Sequence, residues 1–219
     1  MKAFNFNQWS QTHLAAIEMA LDDGVPAYAP AGLGEAMRYA VLDGGKRLRP
    51  LLVLASMEAS AAGQQVAWME DAAMRSACAV ELIHAYSLVH DDMPTFDNAD
   101  FRRGQPTVHK AFSEPLALLT GDGLIVMAYQ VMLLAGRKHP QRLIDLMDNL
   151  SRGVGLPNGI VAGQAWECET KVALSQYQRA KTGALFVSAT CAGAIASGRA
   201  HEPWAPLGAY LGEAYQVAD

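Results

Sequence analysis

Apolar residues recur along most of this chain at helical spacing. Runs of alternating β-branched residues between turn pairs, the mark of strands, are nearly absent. Trp9, Leu14, Ile17 and Leu21 predict a helix over residues 9–21, ended by Asp22-Asp23-Gly24. Residues 33–42 read as a second helix, stopped by Asp43-Gly44-Gly45. Residues 51–62 read as a third, opened by Pro50, which a first helical turn tolerates. Residues 68–92 predict a helix long enough to cross a domain. The mostly apolar run 115–135 predicts another, interrupted by Gly121-Asp122-Gly123. An amphipathic helix follows at 141–150. Residues 153–169 have a glycine-rich start and a polar end at Gln164, Glu167 and Glu169. Residues 174–197 form a helix rich in small residues, and one more begins at Trp204. With no solenoid-length repeat and no Ser/Gly linker, the pattern predicts a single all-α domain over residues 1–219, built largely of buried helices.

Composition supplies the core such a domain needs: 51% of residues are hydrophobic and 18% charged. A net charge of −5 argues against nucleic acid as the main partner. Cys78, Cys168 and Cys191 are too far apart, and too far from histidines, for a thiolate zinc site; they fit reduced thiols in a cytoplasmic protein. The N-terminus has no apolar signal core. Residues 182–198 carry no charge, but they are rich in Gly, Ala, Ser and Thr. They predict a packed internal helix and no stable membrane insertion.

The chemistry concentrates between Glu81 and His109, ELIHAYSLVHDDMPTFDNADFRRGQPTVH. Glu81, His84 and Asp91 fall on roughly one face of a 3.6-residue helix. Asp92 and Asp97 follow closely, then Arg102, Arg103 and Gly104. Closely spaced carboxylates suit a hard cation such as Mg²⁺, which takes oxygen ligands from one or two acids and from substrate phosphates. Adjacent arginines supply forked donors for phosphate oxygens. A second cationic segment, DGGKRLRP, sets Lys46, Arg47 and Arg49 after two glycines at the mouth of a helix, where anions are also favoured. Solvated surface charge explains either segment taken alone. A metal–diphosphate site explains both together. Lys181-Thr182-Gly183 reads as a cation and a hydroxyl at the start of the small-residue helix.

GGKRLRP, the long acidic stretch, KTG and AYQVAD, in that order, resemble the trans-prenyltransferases, the short-chain isoprenyl diphosphate synthases. The resemblance covers essentially the whole chain. It implies a helical bundle around a central cavity, normally a homodimer, that condenses isopentenyl diphosphate with an allylic diphosphate. It implies that Asp91, Asp92 and Asp97 bind Mg²⁺ on the allylic diphosphate, which Arg102, Lys181, Thr182 and Gln216 also contact. Lys46, Arg49, His84 and Arg103 would hold isopentenyl diphosphate. Asp91, Asp92, Arg102 and Lys181 would carry the chemistry. The family's second aspartate-rich motif begins after Tyr215-Gln216 at Asp219, a further metal ligand by resemblance. The chain ends on that acid without a helix-stopping signal, so a C-terminal truncation is expected, with incomplete metal binding. Tyr86 lies five residues before Asp91, ~7.5 Å down the helix axis, where it could floor the cavity and set product length. GIVAGQAWECE and LGEAYQVAD incline the product towards geranylgeranyl diphosphate; farnesyl diphosphate is the alternative. A non-catalytic partner subunit should have lost acids or clamp residues, and these are intact. A terpene cyclase would have no need of the second clamp, and a purely structural helical protein leaves the motifs' co-occurrence unexplained.

Overall fold

The computed structural model describes residues 4–25, 30–42, 44–135 and 139–218. It is helical nearly throughout: α1 (Phe6–Gly24), α2 (Ala31–Leu42), α3 (Leu48–Ala61), α4 (Ala67–Asp91), α5 (Val108–Ala111), α6 (Glu114–Ala135), α7 (Pro140–Val154), α8 (Ile160–Ala165), α9 (Leu174–Gln178), α10 (Ala184–Ser197) and α11 (Ala205–Ala218). Asn5 caps α1, its side chain accepting from the Gln8 N–H at 3.1 Å. Gly198, at φ 75°, ends α10 in the left-handed conformation that glycine adopts without strain.

Two helices, α4 and α10, are apolar almost all round, and such helices must be buried on every side. They lie at the centre: α4 packs against α3, α6 and α10, while α10 packs against α3, α4, α7 and α11. Leu82, Ile83, Leu124, Leu146, Leu150 and Leu185 fill the space between them. Small residues bring α10 close to α3. A Cβ on Gly193 would lie 2.3 Å from the Val53 carbonyl oxygen, so no larger residue fits without moving the helices apart.

Several sequence expectations change. Gly121 and Gly123 do not interrupt α6; both sit inside one continuous helix, where Gly121 leaves room for the His90 ring. Helix α3 starts at Leu48, with Pro50 as its third residue. The glycine-rich 153–159 segment is mostly turn, and α8 begins only at Ile160, running on through a 3₁₀ turn over Trp166–Cys168. Residues 174–197 are helical throughout, but Arg179–Gly183 is a π-helical segment, so Lys181-Thr182-Gly183 lies mid-helix and not at a helix start. One small β-hairpin is present. Phe101–Arg102 (β1) pairs antiparallel with Gln105–Pro106 (β2), closed by Arg103 and Gly104 at φ 53° and 82°. Positive φ at both turn residues is the type I′ geometry that matches strand twist.

Among the described residues, one helix is long and apolar enough to cross a membrane by length and composition. It is α6, not the small-residue helix α10, which is buried inside the bundle.

Candidate active site

The C-terminal end of α4, the hairpin, α8, the π segment, α11 and the start of α3 meet around a cavity of about 670 Å³. Its lining includes Arg49, His84, Tyr86, Asp91, Arg102, Arg103, Lys181, Thr182 and Gln216, residues spread over most of the chain. Lys46 is exposed and does not line it. Asp219 lies outside the described residues.

Asp91 is the last residue of α4, 9% exposed. Its Oδ1 accepts from Lys181 Nζ and from Gln164 Nε2, both at 2.9 Å. Glu167 completes the cluster, accepting from Lys181 Nζ at 2.5 Å, Gln164 Nε2 at 2.8 Å and the Tyr177 hydroxyl at 2.5 Å. Burial disfavours the Lys181 charge, but the Glu167 and Asp91 carboxylates outweigh it and raise its pKa. Gln164 and Glu167 were legible only as a polar helix end. Gln164 reaches Asp91 and Glu167 reaches Lys181 because Gly163 lets α8 press onto the π segment: a Cβ there would lie 2.3 Å from the Lys181 backbone nitrogen.

Asp92 caps α4 and plays a different part from its neighbour. Arg102 donates to both its oxygens, Nε to Oδ2 at 2.7 Å and Nη2 to Oδ1 at 2.6 Å. The forked pair raises the Arg102 pKa and fixes its guanidinium against Asp92. Asp97 is exposed; its backbone N–H donates to the Asp91 carbonyl at 3.0 Å. Partial burial, then Asp91, with smaller contributions from Glu167 and Asp92, raises its carboxyl pKa. Among the described residues no three such ligands close into a preformed metal cage. Asp91 and Asp97 form an open edge of hard oxygen donors that repel one another, and a divalent cation sharing phosphate ligands would relieve that repulsion.

The other wall is cationic. The Arg49 guanidinium stacks on Phe186 at 4.6 Å and donates from Nη1 to His84 Nε2 at 3.3 Å. Burial, then Arg49, Arg103 and Arg102, holds His84 neutral, well below its ordinary pKa. Arg103, in the hairpin turn, donates to the Gly44 carbonyl and packs on Gly45, tying the hairpin to the glycine-rich loop. Gln216 of α11 donates to the Thr182 hydroxyl at 2.5 Å. Arg47 is different. It is buried away from the cavity, donating to Glu81 Oε1 at 2.8 Å, to Glu18 Oε1 at 2.6 Å and to the Val41 carbonyl at 2.7 Å. Glu81, on the same face as Asp91 in a helical projection, is therefore a structural counter-ion.

Tyr86 is 5% exposed, one helical turn before His90 and edge-on to its ring at 5.7 Å. Burial and the nearby Tyr129 push its hydroxyl pKa up. Residues 30–219 match the polyprenyl synthetase family model. The chain belongs to the polyprenyl synthetase family. Like its relatives it is a prenyltransferase of isoprenoid synthesis. A geranylgeranyl diphosphate synthase of Cereibacter sphaeroides is 53% identical over 94% of this chain and 69% of its own length. One from Rhodobacter capsulatus is 48% identical over 93% of this chain and 70% of its own. Among solved structures, an FPP/GFPP synthase from Zymomonas mobilis superimposes with a TM-score of 0.85 at 36% identity, covering 97% of this chain and 79% of that one.

Proposed function

We propose that this polyprenyl synthetase condenses isopentenyl diphosphate with an allylic diphosphate to give geranylgeranyl diphosphate. The observation that carries the reading is one cavity with an acid–lysine wall at Asp91 and Lys181, the lysine also bonded to Glu167, and an arginine–histidine wall at Arg49, His84 and Arg103. Two diphosphates fit such a site, one on each wall.

Asp91 and Asp97 would hold Mg²⁺, with Asp219 as a further ligand; bound there, the metal supplies Lewis-acid charge on the allylic diphosphate. Asp92 orients Arg102, and Arg102 with Lys181 donates to the same diphosphate, Thr182 and Gln216 beside them. These donors stabilise the charge that grows as the allylic C–O bond breaks and its electron pair leaves with the diphosphate. Arg49, Arg103 and Lys46 hold isopentenyl diphosphate, with neutral His84 as a hydrogen-bonding partner. The isopentenyl double bond is itself the nucleophile and attacks the allylic C1, and the proton lost goes to the released pyrophosphate, so neither a side-chain nucleophile nor a side-chain base is required. Tyr86 limits how far the growing chain descends.

The exposed face of α6 supports a homodimer. Leu119, Val126 and Leu133 are each about half exposed and share that face with Asp122 and Gln130, a mixture better matched to a protein partner than to lipid. A soluble dimer follows from that reading, and the free thiols of Cys78, Cys168 and Cys191 support a reducing, cytoplasmic compartment. Sedimentation equilibrium of Val126→Glu checks it, with a shift to monomer expected.

Product analysis tests the reaction. Purified enzyme given Mg²⁺, isopentenyl diphosphate and labelled farnesyl diphosphate is expected to release a C20 product. An enzyme that stops at farnesyl diphosphate, and lengthens its product on Tyr86→Ala, would overturn the C20 assignment in favour of the C15 alternative.

A further inference from the structure

Asp92, Asp97, Arg102 and Arg103 sit on a segment, residues 92–107, that has little regular structure of its own. Before the hairpin its backbone is held by short-range bonds: Phe96 N–H to the Met93 carbonyl at 2.9 Å, Asp97 N–H to Asp91 at 3.0 Å, and Asn98 N–H to Met93 and Ala99 N–H to Asp92, each at 3.1 Å. Asn98 adopts a left-handed φ of 47°, which asparagine tolerates, so the turn there is local. Further anchoring comes from behind. Thr107, 2% exposed, donates its backbone N–H to the Asp100 carbonyl at 3.0 Å and its hydroxyl to the Ala99 carbonyl at 2.7 Å. His109, 8% exposed, places Nδ1 3.0 Å from the same hydroxyl oxygen.

A carbonyl can only accept, so the single hydroxyl proton of Thr107 is committed to Ala99. The His109 contact must then be Nδ1–H donating to the Thr107 oxygen. His109 Nε2 is buried and has no hydrogen-bond partner among the described residues. A buried ring nitrogen without a partner is costly, and its retention points to what the other nitrogen does.

We propose that His109 and Thr107 are positioning residues: a buried relay, His109 Nδ1–H to Thr107 Oγ1–H to the Ala99 carbonyl, that sets the loop carrying Asp97 and the hairpin carrying Arg102. Neither residue lines the cavity. Both act through the backbone of Ala99 and Asp100, and the relay rests on the reading of Asp97 and Arg102 as diphosphate-site residues. Lys110, paired with Asp100 at 3.0 Å, adds an exposed and weaker tether to the same loop.

Asparagine and glutamine separate the two ring positions, because an asparagine amide can mimic Nδ1–H whereas glutamine places its donor near Nε2. Binding of inorganic pyrophosphate with Mg²⁺ is read by calorimetry for wild type, Thr107→Val, Thr107→Ser, His109→Asn and His109→Gln. Thr107→Val and His109→Gln are expected to weaken it ~10-fold or more, the usual cost of losing a group that orients a metal-site residue. Thr107→Ser and His109→Asn should recover most of the loss. Hydrogen exchange on the unliganded proteins should show the 92–107 amides less protected in Thr107→Val, while those of α10 are unchanged. Equal behaviour of His109→Asn and His109→Gln would overturn the relay, as would unchanged loop protection in Thr107→Val. A wild type that binds no pyrophosphate, with loop protection still falling in Thr107→Val, would overturn the functional reading and leave the relay standing.

Discussion

Two clusters of opposite charges sit along α4, and the same residue types behave differently in each. In one, Arg47 is 1% exposed at its side chain and is enclosed by Glu81 at 4% and Glu18 at 43%. Burial alone would lower its pKa; the two carboxylates more than compensate, so it is raised. In the other, Lys181 is 24% exposed and bonded to Asp91 and Glu167 at the cavity wall, within reach of incoming ligand. A charge whose partners are complete and stand away from the cavity is structural. A charge whose partners face an open cavity can exchange them for substrate.

The largest effect should come from breaking the closed cluster. Arg47→Ala leaves Glu81 buried without its counter-ion and is expected to cost ~3–5 kcal/mol of stability, read by urea denaturation. Arg49→Ala, two residues along, should instead raise the KM for isopentenyl diphosphate and leave the urea midpoint nearly unchanged. Equal losses of stability in the two variants would remove the distinction between the clusters.

At the open cluster, Asp91→Ala is expected to lower kcat/KM by ~10²–10³, measured by steady-state kinetics, with the fold intact by circular dichroism. Gly163→Ala sharpens the comparison without altering any charge. Its Cβ must push the Lys181 backbone away, so activity should fall by ~10-fold as the lysine is misplaced. A fully active Gly163→Ala enzyme would show that Lys181 tolerates displacement.

The smallest effect concerns pH. His84 is held neutral in the folded protein, whereas in the unfolded chain it takes up a proton near pH 6.5. The unfolded state therefore binds more protons as pH falls through that value, and the folded state loses up to ~1.4 kcal/mol per pH unit below it. Melting temperatures from pH 5 to 8 should fall less steeply at the acid end in His84→Asn than in wild type.

The helices were legible because their apolar spacing is local, and so were the acids and arginines of the first motif. What was not legible depends on distance in the chain. Asp91 meets Gln164 and Lys181 across 73 and 90 residues, and no local pattern in residues 153–169 announces that meeting. By residue type alone Arg47 and Arg49 look equivalent in GGKRLRP, and the family resemblance singles out Arg49. The fold supplies the reason: Arg47, at a left-handed φ of 44°, has its guanidinium buried against Glu18 and Glu81 while Arg49 lines the cavity. The glycines inside α6 read as a break because glycine disfavours helix, yet one of them is needed where His90 comes close.

The π segment at Arg179–Gly183 bears on how this helix can vary. A π turn amounts to one residue more than a regular helix would hold. Deleting a residue within it would restore uniform α-helical bonding, and because the wide turn absorbs that residue the flanking helices would stay in register. The local widening that carries Lys181 to Asp91 would be lost, while the α10 face that packs against α3 would be kept. A shortened chain could therefore gain a more regular helix and lose the site. Variants found by selecting for heat resistance alone are expected to include deletions here that fold well and do not turn over.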